Sequence, residues 1–109
     1  MRSAKVLFRG EQAGILLQDN NGVFEFHYHK EWAEDSSKPP ISLTLPKTIE
    51  AYQSEYLFPF FYNMLPEGSN KEVVCHLNRI DRNDYFGLLL TIAKSDTIGA
   101  VTIIKIDNQ

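Results

Sequence analysis

Asp19-Asn20-Asn21-Gly22 stands directly before Val23 to His29, where Phe24, Phe26 and Tyr28 alternate with Glu25, His27 and His29. Alternation of period two places the aromatic side chains on one face of a strand and the polar ones on the other. Asn and Gly tolerate the left-handed backbone that a tight hairpin loop demands, so the preceding four residues read as a turn. On its other side, Ile15 to Gln18 is the returning strand. Lys5 to Arg9 is the strand before it, with Ala4, Val6 and Phe8 sharing a face. Gly10 to Gly14 reads as the turn between them, a glycine at each end taking positive φ. Three consecutive antiparallel strands follow from these residues alone.

Beyond the meander the pattern loosens. His29 to Ser37, built around Trp32, predicts one helical turn and a loop, ended by Pro39-Pro40. Ile41-Ser42-Leu43-Thr44-Leu45 alternates as a fourth strand, closed by Pro46. Lys47 to Glu55 is polar and irregular. The period then changes. Leu57 to Leu65 is apolar nearly all round and reads as a buried helix with Pro59 in its first turn, where a missing N–H does little harm. Pro66-Glu67-Gly68 breaks it. Ser69-Asn70-Lys71-Glu72 matches a capping box. Val73, Leu77 and Ile80 follow at helical spacing, predicting an amphipathic helix to about Ile80. Asn83-Asp84 opens another helix with Phe86, Leu89, Leu90 and Ala93 along one side, ended by Ser95-Asp96-Thr97. Ile98 to Ile106, rich in β-branched residues, reads as a last strand. The expected fold class is α+β: a curved antiparallel sheet, meander plus C-terminal strand, with about three helices on one side.

With 109 residues, the expectation is a single domain over 1–109. A hydrophobic fraction of 43% and a charged fraction of 23% are ordinary for a globular chain. The net charge of −3, with eleven scattered basic residues, gives no footprint for direct nucleic-acid binding. Cys75 is the sole cysteine and forms no internal disulfide. Met1 to Gly10 lacks the apolar core of a signal peptide, and no apolar run approaches the ~20 residues of a membrane span. The default expectation is a cytoplasmic protein with no membrane contact.

The matching pieces Phe26-His27-Tyr28-His29-Lys30-Glu31-Trp32, Ile41 to Pro46, Phe60 to Gly68, Asp84 to Leu89 and Asp96 to Val101 occur together and in order. In that order they resemble the N-terminal domain of the HipA-type serine/threonine kinases of bacterial toxin–antitoxin systems. In that family a much longer kinase core follows; here the chain stops at Asp107-Asn108-Gln109. The resemblance implies the three-part variant of these systems, in which a small antitoxin, HipS, stands beside a shortened kinase, HipT, and a DNA-binding protein, HipB. It implies an antitoxin that binds and neutralises a HipT-like kinase non-covalently. The alternative is a scaffold or co-repressor subunit linking the kinase to a HipB-like helix-turn-helix protein without inhibiting it. A third reading is a piece of a longer kinase. The chain departs from many members in carrying Ser69 and Asn70 just after Pro66-Glu67-Gly68, where a bulky or basic residue is common.

No phosphate-cradling loop, His-Arg-Asp run or Asp-Phe-Gly run is present, so no catalytic residue and no cofactor is expected. His27 and His29 share a strand face at a spacing open to two metal ligands, but as solvent-facing residues they serve equally well, and no metal site is expected. Cys75 and His76 diverge by ~100° on a helix and form no nucleophile–base pair; a buried thiol and an exposed imidazole are expected. Trp32 reads as a plug over the sheet end or as an interface anchor. The partner-binding candidates are Asn63, Pro66, Glu67, Gly68, Ser69 and Asn70, a break that presents a helix N-terminus. Glu67 there either favours the helix dipole or reaches a basic partner surface.

Overall fold

The computed structural model describes residues 2–65, 68–81, 83–93 and 101–106. Strands β1 (Arg2–Phe8), β2 (Glu11–Gln18) and β3 (Phe24–Tyr28) form the meander. Helix α1 (Lys30–Glu34), strand β4 (Tyr52–Ser54), helices α2 (Pro59–Tyr62), α3 (Gly68–Asn78) and α4 (Tyr85–Ala93), and strand β5 (Val101–Lys105) follow. The curved sheet runs β4-β3-β2-β1-β5 and every pairing is antiparallel. This is the α+β architecture that the change of hydrophobic period predicts.

Register explains the core. Ala4, Leu16, Phe26 and Tyr52 lie in one cross-strand row, and Ile103, Val6, Gly14 and Tyr28 in the next. Their face buries Ala4, Val6, Leu16, Phe24, Phe26, Tyr28 and Ile103. Phe24 stacks on Phe86 of α4 at 6.5 Å, and Phe26 meets Phe61 of α2 at 5.8 Å. Both helices therefore cover the same face. Trp32 of α1 closes it, buried beside Phe8 at 5.8 Å with its Nε1 donating to the Pro39 carbonyl at 2.9 Å. Of the two readings of Trp32, the packing one describes the structure.

The turn at residues 19–22 forms as expected: Gly22 takes φ +86°, and Asp19 Oδ1 accepts from the Asn21 and Val23 amides. The turn before it is shorter than Gly10 to Gly14. Arg9 (φ +52°) and Gly10 (φ +84°) make it alone, and β2 begins at Glu11. A bulge leaves Ala13 without a partner on β1, which breaks the alternation that would have marked the strand. Gly14 is needed for closeness instead: a Cβ there would fall 2.5 Å from the His27 carbonyl oxygen.

The fourth strand is also displaced. Ile41 and Leu45 are buried as alternation predicts, but Leu43 between them is 95% exposed and only an isolated bridge joins Ser42 to Leu45. Ser42 Oγ bonds the Thr44 amide and hydroxyl, and the Leu45 amide donates to Ser42 O at 3.1 Å. Local hydroxyl bonds thus favour a turn over a ladder, in a segment only five residues long between two prolines. Tyr28 clamps it, donating to the Leu45 carbonyl and accepting from the Ile41 amide. The pairing strand is Tyr52–Ser54, set against Phe24 and Phe26 within the stretch that reads as irregular.

Helix α4 starts as expected. Asp84 Oδ1 accepts from the Gly87 amide at 3.1 Å, a side-chain cap, and Phe86, Leu89 and Leu90 are buried. The expected helix end at Ser95 to Thr97 and the start of the last strand at residues 98–100 lie outside the described residues. Among the described residues no helix is long and apolar enough to cross a membrane.

Candidate partner-binding site

The site begins where α2 ends. Phe58 is extended (φ −58°, ψ 140°), the geometry a following proline imposes, and Pro59 takes the first helical position. The Phe61 and Tyr62 amides return to the Phe58 carbonyl at 2.9 Å, and the Asn63 amide to Pro59 at 2.9 Å. The expected buried helix over 57–65 is therefore one turn. Leu57, Phe58 and Phe61 face inward, whereas Tyr62 is 46% exposed and Asn63 is exposed. The residue type was right and the extent was not, because one turn on a sheet can bury only one side.

From Asn63 the chain makes two further turn bonds, Met64 to Phe61 O and Leu65 to Tyr62 O, and both side chains pack on the core edge. Pro66 and Glu67 lie outside the described residues. Backbone helix resumes at Gly68, one residue before the expected Ser69 cap, so Ser69 is already within the first turn of α3. Ser costs little there, since first-turn amides lack intrahelical partners wherever the cap falls. Asn70 is exposed. Asn63 and Asn70 thus flank the break on its two sides, both open to solvent.

The flanks are held by residues that the candidate set omits. The Tyr62 ring meets Tyr85 edge-on at 5.7 Å, and the Lys71 ammonium lies 5.1 Å from the centre of the Tyr85 ring. Tyr85 opens α4, so it ties the end of α2 and the first turn of α3 to the helix they both approach. The sequence signal was present in Tyr62, but it sits in an aromatic run that reads as core. Tyr85 is fixed in turn because Asp84 beside it is paired with Arg2 of β1, at 2.6 and 2.9 Å. That guanidinium holds the Asp84 carboxyl below the usual carboxylate range, against an opposing effect of partial burial.

On α3, Val73 and Leu77, four residues apart, are 54% and 74% exposed, while Cys75 is buried as expected. His76 is exposed, and with Glu72, Cys75 and Ile80 it borders an open depression of about 280 Å³. The helix ends in a left-handed residue, Arg79 (φ +55°), with the Ile80 amide donating to the Cys75 carbonyl at 2.9 Å. Ile80 therefore lies past the helix, not on its stripe. His27 stands opposite Ile15 on the uncovered sheet face, while His29 caps α1 through its backbone. Among the described residues no three His, Cys, Asp or Glu side chains gather as a metal site would require.

A strand meander, a single-turn α2, a break, and two helices packed at one side of the sheet reproduce the order that the sequence motifs carry. The sequence model described as HipA N-terminal domain matches residues 4–104. The chain belongs to the HipA N-terminal domain family. A solved structure titled "N-terminal domain of HipA toxin" superposes with a TM-score of 0.70 at 28% identity, covering 100% of this chain and 96% of that one. An uncharacterized protein of Haemophilus influenzae is 36% identical over 103 residues, 94% of this chain and 92% of its own length. Two Sinorhizobium fredii proteins are named "Putative kinase Y4mE" and "Putative kinase Y4dM". They are 29% and 31% identical, and the match covers 26% and 24% of their lengths. The match thus spans about a quarter of those two relatives and nearly all of the Haemophilus influenzae one.

Proposed function

We propose that this protein is an antitoxin: a single domain over 1–109, acting in the cytoplasm, that binds and neutralises a HipT-like serine/threonine kinase by non-covalent contact. It occupies or distorts the kinase active site and performs no catalysis itself. The observation that carries the reading is the family match over residues 4–104, joined to a Haemophilus influenzae relative made up almost wholly of this domain. A relative that consists almost wholly of the matched region supports action in trans on a kinase. The contact is assigned to Asn63, Pro66, Glu67, Gly68, Ser69 and Asn70. Supporting that choice, Asn63 and Asn70 are exposed on either side of the break, and the Tyr62–Tyr85–Lys71 cluster steadies its flanks. Preorganised contact segments bind more tightly because less conformational freedom is lost on association.

The test is growth of cells expressing a HipT-like kinase, with and without this protein. Rescue and co-purification are expected. Replacing Glu67, Ser69 and Asn70 together by alanine is expected to weaken rescue while leaving the domain folded. Unchanged rescue by that triple variant removes the break as the contact. Binding without any rescue by the wild-type chain turns the reading to a scaffold joining the kinase to a HipB-like protein.

A further inference from the structure

Gly87 is the third residue of α4, inside a helix, where glycine is the least favourable residue after proline. Its backbone stays out of the left-handed region that would call for glycine. The cap does not call for it either. Where a side-chain oxygen caps a helix, Glu or Gln at the third position completes a capping box, so a side chain there is compatible with the cap. Space is the reason that remains. A Cβ on Gly87 would overlap the Asp84 carboxylate, 2.9 Å from its Cγ, and would lie 3.3 Å from Arg2 Nη1. The carboxylate lies this near because it serves two partners at once. Its Oδ1 accepts from the Gly87 amide at 3.1 Å, and its two oxygens take the Arg2 guanidinium at 2.6 and 2.9 Å. The glycine makes room for the ion pair, not for the helix.

What the pair holds is the chain around Tyr85. Arg2 grips both neighbours of that residue, Asp84 by charge and Phe86 through its ring face at 5.1 Å, and Gln18 of β2 accepts from the same guanidinium. Phe86 is fully buried and stacked on Phe24. Tyr85, between the two, carries the edge-on contact with Tyr62 and the ring face beneath Lys71. Those two residues belong to the helices on either side of the 63–70 segment. We propose that Gly87 is a positioning residue for the partner contact: by making room for Asp84 and Arg2, it sets Tyr85 against Tyr62 and Lys71. It acts on the contact through Tyr85 and not by touching the partner. This rests on the antitoxin reading and deepens it, naming what fixes the geometry of the contact from the side of the sheet.

The experiment is a double-mutant cycle on the whole chain, with Gly87→Ala, Asp84→Ala and Asp84→Ala/Gly87→Ala beside wild type. For each, the melting temperature and the concentration giving half-maximal inhibition of a HipT-like kinase are measured. With Asp84 present, Gly87→Ala is expected to displace the carboxylate. The half-maximal concentration then rises roughly 2- to 12-fold, the range for ordering one loosened side chain on association, and the melting temperature does not rise. In the Asp84→Ala background the added carbon meets no carboxylate. There it is expected to leave inhibition unaltered and to raise the melting temperature by about 4 °C or more, as helix propensity alone dictates. A glycine needed only for stability would move the melting temperature and leave inhibition by the folded protein unchanged. Arg2→Met breaks the pair without adding a carbon at position 87 and is expected to weaken inhibition by the same factor, which decides the question if Gly87→Ala does not fold. Inhibition by Gly87→Ala or by Arg2→Met equal to wild type overturns the positioning role. An equal loss of inhibition in both backgrounds also overturns it, since the added carbon then acts on something other than Asp84. If the wild type inhibits no kinase, the antitoxin reading falls and the proposal with it. A melting-temperature cycle that still reverses sign then places the fault in that reading and not in the spacing.

Discussion

Arg2 and Asp84, 82 positions apart, meet in a two-pronged ion pair at 2.6 and 2.9 Å that joins the first strand of the sheet to the N-terminus of the last helix. The same guanidinium lies 5.1 Å from the centre of the Phe86 ring and donates to Gln18. Asp84 also caps α4 through the Gly87 amide. One carboxylate thus fixes the helix start, and with it the position of Tyr85 behind the candidate site.

Replacing Asp84 by alanine is expected to lower stability by about 1–2 kcal/mol in urea unfolding, combining a lost cap with a partly exposed ion pair. Asp84→Asn keeps a capping oxygen and loses the charge, so it is expected to cost less. The pH dependence has a definite sign. Arg2 depresses the folded-state pKa of Asp84, so its stabilisation is whole above the unfolded value of about 4 and is lost as pH falls through the folded one. The stability gap between wild type and Asp84→Asn is expected to close on acidification below pH ~4. A gap that stays constant down to pH 2 rejects the linkage.

Tyr28→Phe is expected to destabilise the domain by about 1–3 kcal/mol, because the Ile41 amide and the Leu45 carbonyl are both left without their buried partner. Burial also pushes the Tyr28 phenol upward, so in wild type it stays protonated and able to donate well into the alkaline range. Hydrogen exchange at the Ile41 amide is the direct check: protection falls selectively there if the clamp is what holds the 41–45 turn. Global loss of protection with no local excess argues against it.

Gly14→Ala and Gly10→Ala separate two reasons for glycine. At Gly10 the backbone is left-handed with open space beyond it, so alanine is expected to cost about 1 kcal/mol of strain. At Gly14 the added carbon meets the His27 carbonyl at 2.5 Å and the Phe26 ring at 3.0 Å, both fixed in the sheet core. A larger loss, about 2–4 kcal/mol, is expected from overpacking. Thermal unfolding of the two variants gives the order, and a smaller loss at Gly14 would mean that β2 and β3 can part there.

Which parts of this fold were legible follows from which forces are local. Phe24, Phe26 and Tyr28 announced their face because alternation is written residue by residue, and Asp84 announced α4 because a cap is a local bond. The Ala13 bulge, the Ser42–Thr44 turn and strand β4 were hidden because cross-strand pairing and competing hydroxyl bonds decide them. Ser42-Leu43-Thr44 alternates as well as any strand, and Tyr52-Gln53-Ser54 carries no strand signal except its aromatic residue. At the candidate site, Pro66-Glu67-Gly68 reads as a break from composition; Pro66 and Glu67 lie outside the described residues, Gly68 already belongs to α3, and Asn63 and Asn70 are exposed. Tyr85 and Lys71 were not foreseen there, since nothing in their own neighbourhood tells that Tyr62 will pack beside them. Helical spacing finds the Val73–Leu77 stripe but not its direction, because periodicity reports that a face is apolar, not which body covers it.

Tyr85 offers the sharpest separation of positioning from contact at the candidate site. Its ring is half-buried between Tyr62 and Lys71, so it reaches any partner mainly through them. Tyr85→Phe keeps the ring, the edge-on pair and the face beneath the ammonium, and is expected to neutralise the kinase as well as wild type. Tyr85→Leu keeps bulk and apolar character but removes the aromatic quadrupole on which both contacts depend. Losing both contacts is expected to lower stability by about 1 kcal/mol. It is also expected to raise the concentration of protein needed for half-maximal inhibition several-fold, since the ends of the break are then less constrained before binding. Inhibition assays on the two variants, with folding followed by circular dichroism, decide the point. Equal inhibition by Tyr85→Leu and Tyr85→Phe would mean that neutralisation does not depend on the aromatic cluster, and would leave the packing of Met64 and Leu65 on the core edge as what holds the end of α2.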